Sequence, residues 1–90
     1  MSVRVRFPAF FADRIGGVST IEISATTVQD ALHVISNRYH ELAPLVFTAN
    51  GTVNPMMIVF LNDTQLSVEQ LQIPIKSGDE IQIVPAIEGG

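Results

Sequence analysis

Cysteine is absent from this chain. That excludes a disulfide framework, a thiolate nucleophile and a cysteine-ligated zinc site, and it suits a reducing compartment. Positive charge is scarce: five Lys and Arg stand against nine Asp and Glu, for a net charge of −4. A surface with that balance disfavours phosphate backbones and anionic lipid, so neither nucleic acid nor a membrane is expected as a partner. Long apolar runs are missing as well. The longest, Met56 to Leu61, has six residues, far short of the roughly 20 that span a bilayer. The first residues, Met-Ser-Val-Arg-Val-Arg, alternate in polarity instead of forming the continuous apolar stretch of a signal peptide. The expected location is the cytoplasm.

What is present is a globular composition of 90 residues, 47% hydrophobic and 16% charged. This is one domain with one core, for which surface scaling predicts about 5,200 Å² exposed after folding. Val3, Val5 and Phe7 alternate with Arg4 and Arg6, which predicts a half-buried strand stopped by Pro8. The Phe10-Phe11 pair packs a loop or helical turn, and Gly16-Gly17 reverses the chain into a second strand over Thr20 to Ser24. Ile21 and Ile23 of that strand face inward, and Glu22 lies across from the arginines in a hairpin.

Thr26 or Thr27, followed by Gln29 or Asp30, caps a helix predicted over Val28 to His40. Val28, Ala31, Leu32, Ile35, Tyr39 and Leu42 form its apolar stripe. The segment from Ala43 to Pro55 carries Pro44, Asn50-Gly51 and Pro55 without periodicity, and reads as a loop. Met56 to Leu61 is then a strand ended by Asn62-Asp63. Leu66 and Leu71 anchor a short strand and an irregular connection. Ser77-Gly78-Asp79 turns the chain, and Glu80 to Pro85 forms the last strand with Ile81 and Ile83 inward. The order is α+β: a mixed sheet of four to five strands under one main helix, with the first and last strands able to lie side by side and parallel. Residues 1–85 make the domain and 86–90 a tail.

Chemistry is sparse in the body of the chain. His33 and His40 stand two helical turns apart, roughly 10.5 Å, so one metal with bonds near 2 Å does not take both. They read as solvated histidines, and no metal site is expected. Asp79-Glu80 reads as solvated charge in a turn. No base, nucleophile and orienting group come together, and Gly16-Gly17 lacks the lysine of a phosphate loop.

The tail differs. Gly89 and Gly90 follow a strand and a short apolar connector, an ending that arbitrary chains reach about once in 200. Two residues without Cβ fit a narrow channel and present a carboxylate at close range to an attacking group.

The strand order together with Ile83-Val84-Pro85-Ala86-Ile87-Glu88-Gly89-Gly90 resembles the MoaD/ThiS family of ubiquitin-like sulfur carriers. The likeness runs over essentially the whole chain, including Val59-Phe60-Leu61-Asn62-Asp63 and Ser77-Gly78-Asp79-Glu80. The tail is its specific part. The resemblance implies a β-grasp fold and a carrier that is itself no enzyme and binds no cofactor. A ubiquitin-activating-type enzyme would use ATP to adenylate the carboxylate of Gly90, which is then converted to a thiocarboxylate that a synthase accepts as sulfur source. Gly89 would give clearance. The extended 43–55 loop and the Pro-Ala-Ile-Glu-Gly-Gly ending look similar to carriers feeding cysteine synthesis, while the molybdopterin type commonly has Pro-Pro where this chain has Val84-Pro85. A protein modifier forming isopeptide bonds, or a noncovalent β-grasp module, are the competing readings. Period two turns Ile58, Phe60 and Val84 to the outer sheet face as a partner surface, with Arg4 or Arg6 adding charge at its rim.

Overall fold

The computed structural model describes residues 2–86. Its frame is a mixed sheet of five strands: β1 (Val3–Arg6), β2 (Thr20–Ile23), β3 (Met57–Leu61), β4 (Thr64–Leu66) and β5 (Glu80–Pro85). Their spatial order is β2-β1-β5-β3-β4. β1 and β5 run parallel side by side and the other three pairings are antiparallel. This is the β-grasp arrangement.

The alternating strands bury one face only. Val3, Val5, Ile21, Ile23, Val59, Ile81 and Ile83 all point into the core, while Arg4, Arg6 and Glu22 stay outside. Arg4 pairs in register with Glu22, their charged groups 3.9 Å apart. Both side chains are exposed, so this cross-strand pair adds little stability. The total accessible surface, 5300 Å², agrees with the scaling expectation for a single core of this mass.

Helix α2 (Val28–Arg38) lies on the buried face through Val28, Ala31, Leu32 and Ile35. Thr27 is its cap, the hydroxyl accepting from the Asp30 N–H at 3.0 Å. The reciprocal bond goes one residue further back, from the Thr26 N–H to Asp30 Oδ2 at 2.9 Å. Two more first-turn N–H groups, which no helix satisfies internally, donate to the irregular 71–73 connection: Val28 to the Ile73 carbonyl and Gln29 to that of Leu71. Leu71 is buried as expected, so one segment fills the core and caps the helix.

Two boundaries differ from the sequence reading. α2 ends at Arg38 instead of His40, because Tyr39 leaves helical geometry and a 3-10 turn follows over His40–Leu42. The departure sets the Tyr39 ring edge-on to Phe7, centroids 6.3 Å apart, and delivers Leu42 fully into the core. The segment 43–55 is not a plain loop. It holds a one-turn helix α3 (Ala43–Val46), which buries Val46, and a tight reversal closed by the Phe47–Val53 bridge. Gly51 there has φ +84°, which its missing side chain permits. Upstream, Ala9–Ala12 forms the short helix α1 and buries Phe11.

Candidate functional site

Two places on the sheet hold functional interest, one at each end of β5. At its start, the β3–β4 hairpin turns through Asn62 and Asp63, both with positive φ (49° and 75°), a geometry Asn and Asp tolerate better than other side chains. The turn reaches across to the segment before β5. Asn62 Nδ2 donates to Asp79 Oδ1 at 2.9 Å, and Asn62 Oδ1 accepts from the Glu80 N–H at 2.9 Å. The second carboxylate oxygen of Asp79 accepts from the Lys76 N–H at 2.8 Å. Asp79 is therefore buried, not the solvated turn charge its sequence position suggested. The Asn62 amide, then the Lys76 N–H, hold its carboxyl below the usual carboxylate range despite burial. Both carboxylate oxygens of Asp79 are engaged within the fold, while Asn62 itself stays exposed at the turn. Ser2, Arg4, Glu22, Ser77 and Glu80 line a polar hollow of about 560 Å³ around it.

At the far end, β5 runs out at Pro85, and the Ala86 N–H still donates to the Met56 carbonyl at 2.7 Å. Gly89 and Gly90, the residues singled out for chemistry, lie outside the described residues, as do Ile87 and Glu88. What the structure places is the root of the tail. On the open sheet face, Ile58 stands opposite Val84, and Phe60 opposite Gln82, whose other neighbour is Arg6. Ile58, Phe60 and Val84 thus share one face and are half-buried. Arg6 sits at their edge, 4.0 Å from Glu80. Arg4 does not join them. It is in register with Glu80, four residues or about 13 Å from Val84 along the strand, on the side of the polar hollow.

The two histidines also separate. His33 stacks on Phe47 with centroids 4.6 Å apart, while His40 has left the helix. Among the described residues no group of three or more His, Asp or Glu side chains is placed to hold a metal ion. The Asn62–Asp79 latch was missed by sequence reasoning. Its available signal was the Asn-Asp pair directly after a strand, which marks a two-residue hairpin turn.

Residues 5–90 match the ThiS family. The chain belongs to the ThiS family. A relative from Archaeoglobus fulgidus, named "Putative sulfur carrier protein", is 28% identical over 91 residues, with all of both chains covered. Among solved structures, small archaeal modifier protein 1 (SAMP1) of Haloferax volcanii superposes on this ThiS-family chain with a TM-score of 0.87 at 25% identity, again over all of both chains. The complex of subunits 1 and 2 of the molybdopterin-converting factor of Helicobacter pylori contains a chain 25% identical, with a TM-score of 0.63 and full coverage of both. This is a family of small sulfur carriers and ubiquitin-like modifiers built on the β-grasp fold.

Proposed function

We propose that this protein carries sulfur on its C-terminal glycine. A carboxylate oxygen of Gly90 attacks the α-phosphorus of ATP on a ubiquitin-activating-type enzyme, releasing pyrophosphate and leaving an acyl adenylate. A sulfide-level nucleophile then attacks the acyl carbon, AMP departs, and the product is a thiocarboxylate that a synthase consumes. ATP belongs to the enzyme, and the carrier holds no cofactor of its own. The reaction is placed in the cytoplasm. The observation that carries this reading is the family match through residue 90, joined to a strand that delivers the tail from the middle of the sheet.

The fold supports the division of labour. β5 is held on both sides, by β1 and β3, so the start of the tail is fixed. Without a Cβ, Gly89 and Gly90 pass a narrow channel that larger residues would block. Ile58, Phe60 and Val84, with Arg6 at their edge, form the surface on which the activating enzyme docks, half-buried apolar side chains being suited to a desolvated contact. Cysteine and molybdopterin biosynthesis are the two destinations favoured for the sulfur. The likeness to SAMP1 favours protein modification as the second reading.

One experiment separates them. Incubation with the activating enzyme, ATP and a sulfur source yields a carrier heavier by the exchange of one oxygen for one sulfur, read by intact-mass spectrometry. Persistent adducts on lysines of other proteins, with no thiocarboxylate formed, select the modifier. Full function after deletion of Gly89 and Gly90 refutes both and leaves a noncovalent module.

A further inference from the structure

The root of the tail has a second apolar flank, on the side of the sheet opposite Ile58 and Val84. Phe10, Phe11, Leu45, Met56, Met57 and Pro85 line a groove of about 430 Å³ there. Phe10 and Met56 are 51% and 45% exposed, although both are large apolar side chains. The walls are fixed. Asn54 Nδ2 donates to the Leu45 carbonyl at 3.0 Å and its Oδ1 accepts from the Met56 N–H at 2.9 Å, tying the two sides of the groove through one side chain. The Ala86 N–H bond to Met56 fastens the outgoing chain to the same wall.

None of the groove's lining residues is charged, and the guanidinium of Arg14 lies over the Phe10 ring, 4.7 Å from its centroid. Among the described residues no carboxylate lies within ion-pair distance of Arg14.

We infer that the groove receives an apolar side chain of the activating enzyme, of leucine or phenylalanine size, with a carboxylate beside it that pairs with Arg14. The inference rests on the proposed adenylation, since an enzyme that draws in the tail must close around its root. β5 ends between the open-face trio and this groove, so an enzyme gripping residue 86 onward touches both flanks. With Phe10 and Met56 exposed at its mouth, and the backbone behind them tied by Asn54, the groove accepts an inserted anchor to which the adaptable thioether of Met56 conforms.

The test uses the full chain with its methionine methyl groups isotope-labelled, titrated with the activating enzyme without ATP. The Met56 and Met57 resonances should shift or broaden on addition of the enzyme. Phe10→Ser and Arg14→Glu should each weaken binding about tenfold, and Arg14→Lys much less. Arg14 is exposed, so its variants report even where Phe10→Ser loses its fold, which thermal melting reveals. Unmoved methyl signals and unchanged affinity, in a chain the enzyme adenylates normally, overturn the groove and leave the carrier reading standing. A wild-type chain that is neither bound nor adenylated overturns both. Methyl shifts that depend on carrier concentration alone assign the groove to a second copy and overturn the occupant named here.

Discussion

Where β5 begins, Asp79 and Asn62 spend each of their side-chain bonds on the protein itself; where it finishes, Met56, Pro85 and Phe10 leave apolar surface uncovered. The same six-residue strand (Glu80–Pro85) joins both. A polar network whose bonds run within the fold serves chiefly to fix its own geometry. Uncovered apolar area costs solubility and returns something only on contact. Stability and recognition are thus segregated along one strand, so each can be altered with little effect on the other.

The largest effect should come from the uncovered end. Replacing Gly90 by Phe should abolish adenylation in a pyrophosphate-exchange assay. The midpoint of urea unfolding should stay within about 0.5 kcal/mol of the parent, because the residue lies beyond the last strand. Normal exchange by the variant breaks the segregation. Next, Asn62→Ala strips Asp79 of its amide donor, leaves the Glu80 N–H unanswered, and forces alanine into a positive-φ site. A loss of about 3 kcal/mol in urea unfolding is expected, with exchange activity preserved at temperatures where the variant is folded.

A third test sharpens the polar side by pH. Asp79 has a lowered folded-state pKa, so between the folded and unfolded values the unfolded chain binds more protons. Its contribution to stability is complete above the unfolded pKa, near 3.9, and fades as pH falls through the folded value. Asp79→Asn should remove that part of the acid dependence, seen as a flatter profile of unfolding free energy below about pH 4. The smallest effect is Phe60→Ala, for which calorimetry should show binding to the activating enzyme weakened by at least about 1 kcal/mol in a folded chain. Unchanged affinity moves docking away from the open face.

Much of this layout was legible because it rests on local rules. Alternation assigned Val3, Val5, Ile81 and Ile83 to the core, and the crossover argument put β1 beside β5. Residues 43–55 were illegible for the opposite reason. A helix of four residues is too short to display a period, and Val46 is buried by a tertiary contact. The end of α2 was misplaced because the apolar stripe runs on through Tyr39 and Leu42 while the backbone breaks beneath it. Asp79 looked solvated because its partner Asn62 is seventeen residues away. The groove escaped notice since its walls come from four separated segments, at 10–11, 45, 54–57 and 85, which only the tertiary fold brings together.

The pairing of Arg4 with Glu80 carries a consequence for how the chain acquires its shape. These neighbours are seventy-six residues apart in sequence, so closing the loop between them costs about 4 kcal/mol of chain entropy before any contact repays it. The β1–β2 and β3–β4 hairpins close locally and fast, but neither has a sheet to belong to until β5 slots between them. Folding should therefore wait on the last strand. Substitutions in β5 should slow refolding, while those in the edge strands should chiefly speed unfolding.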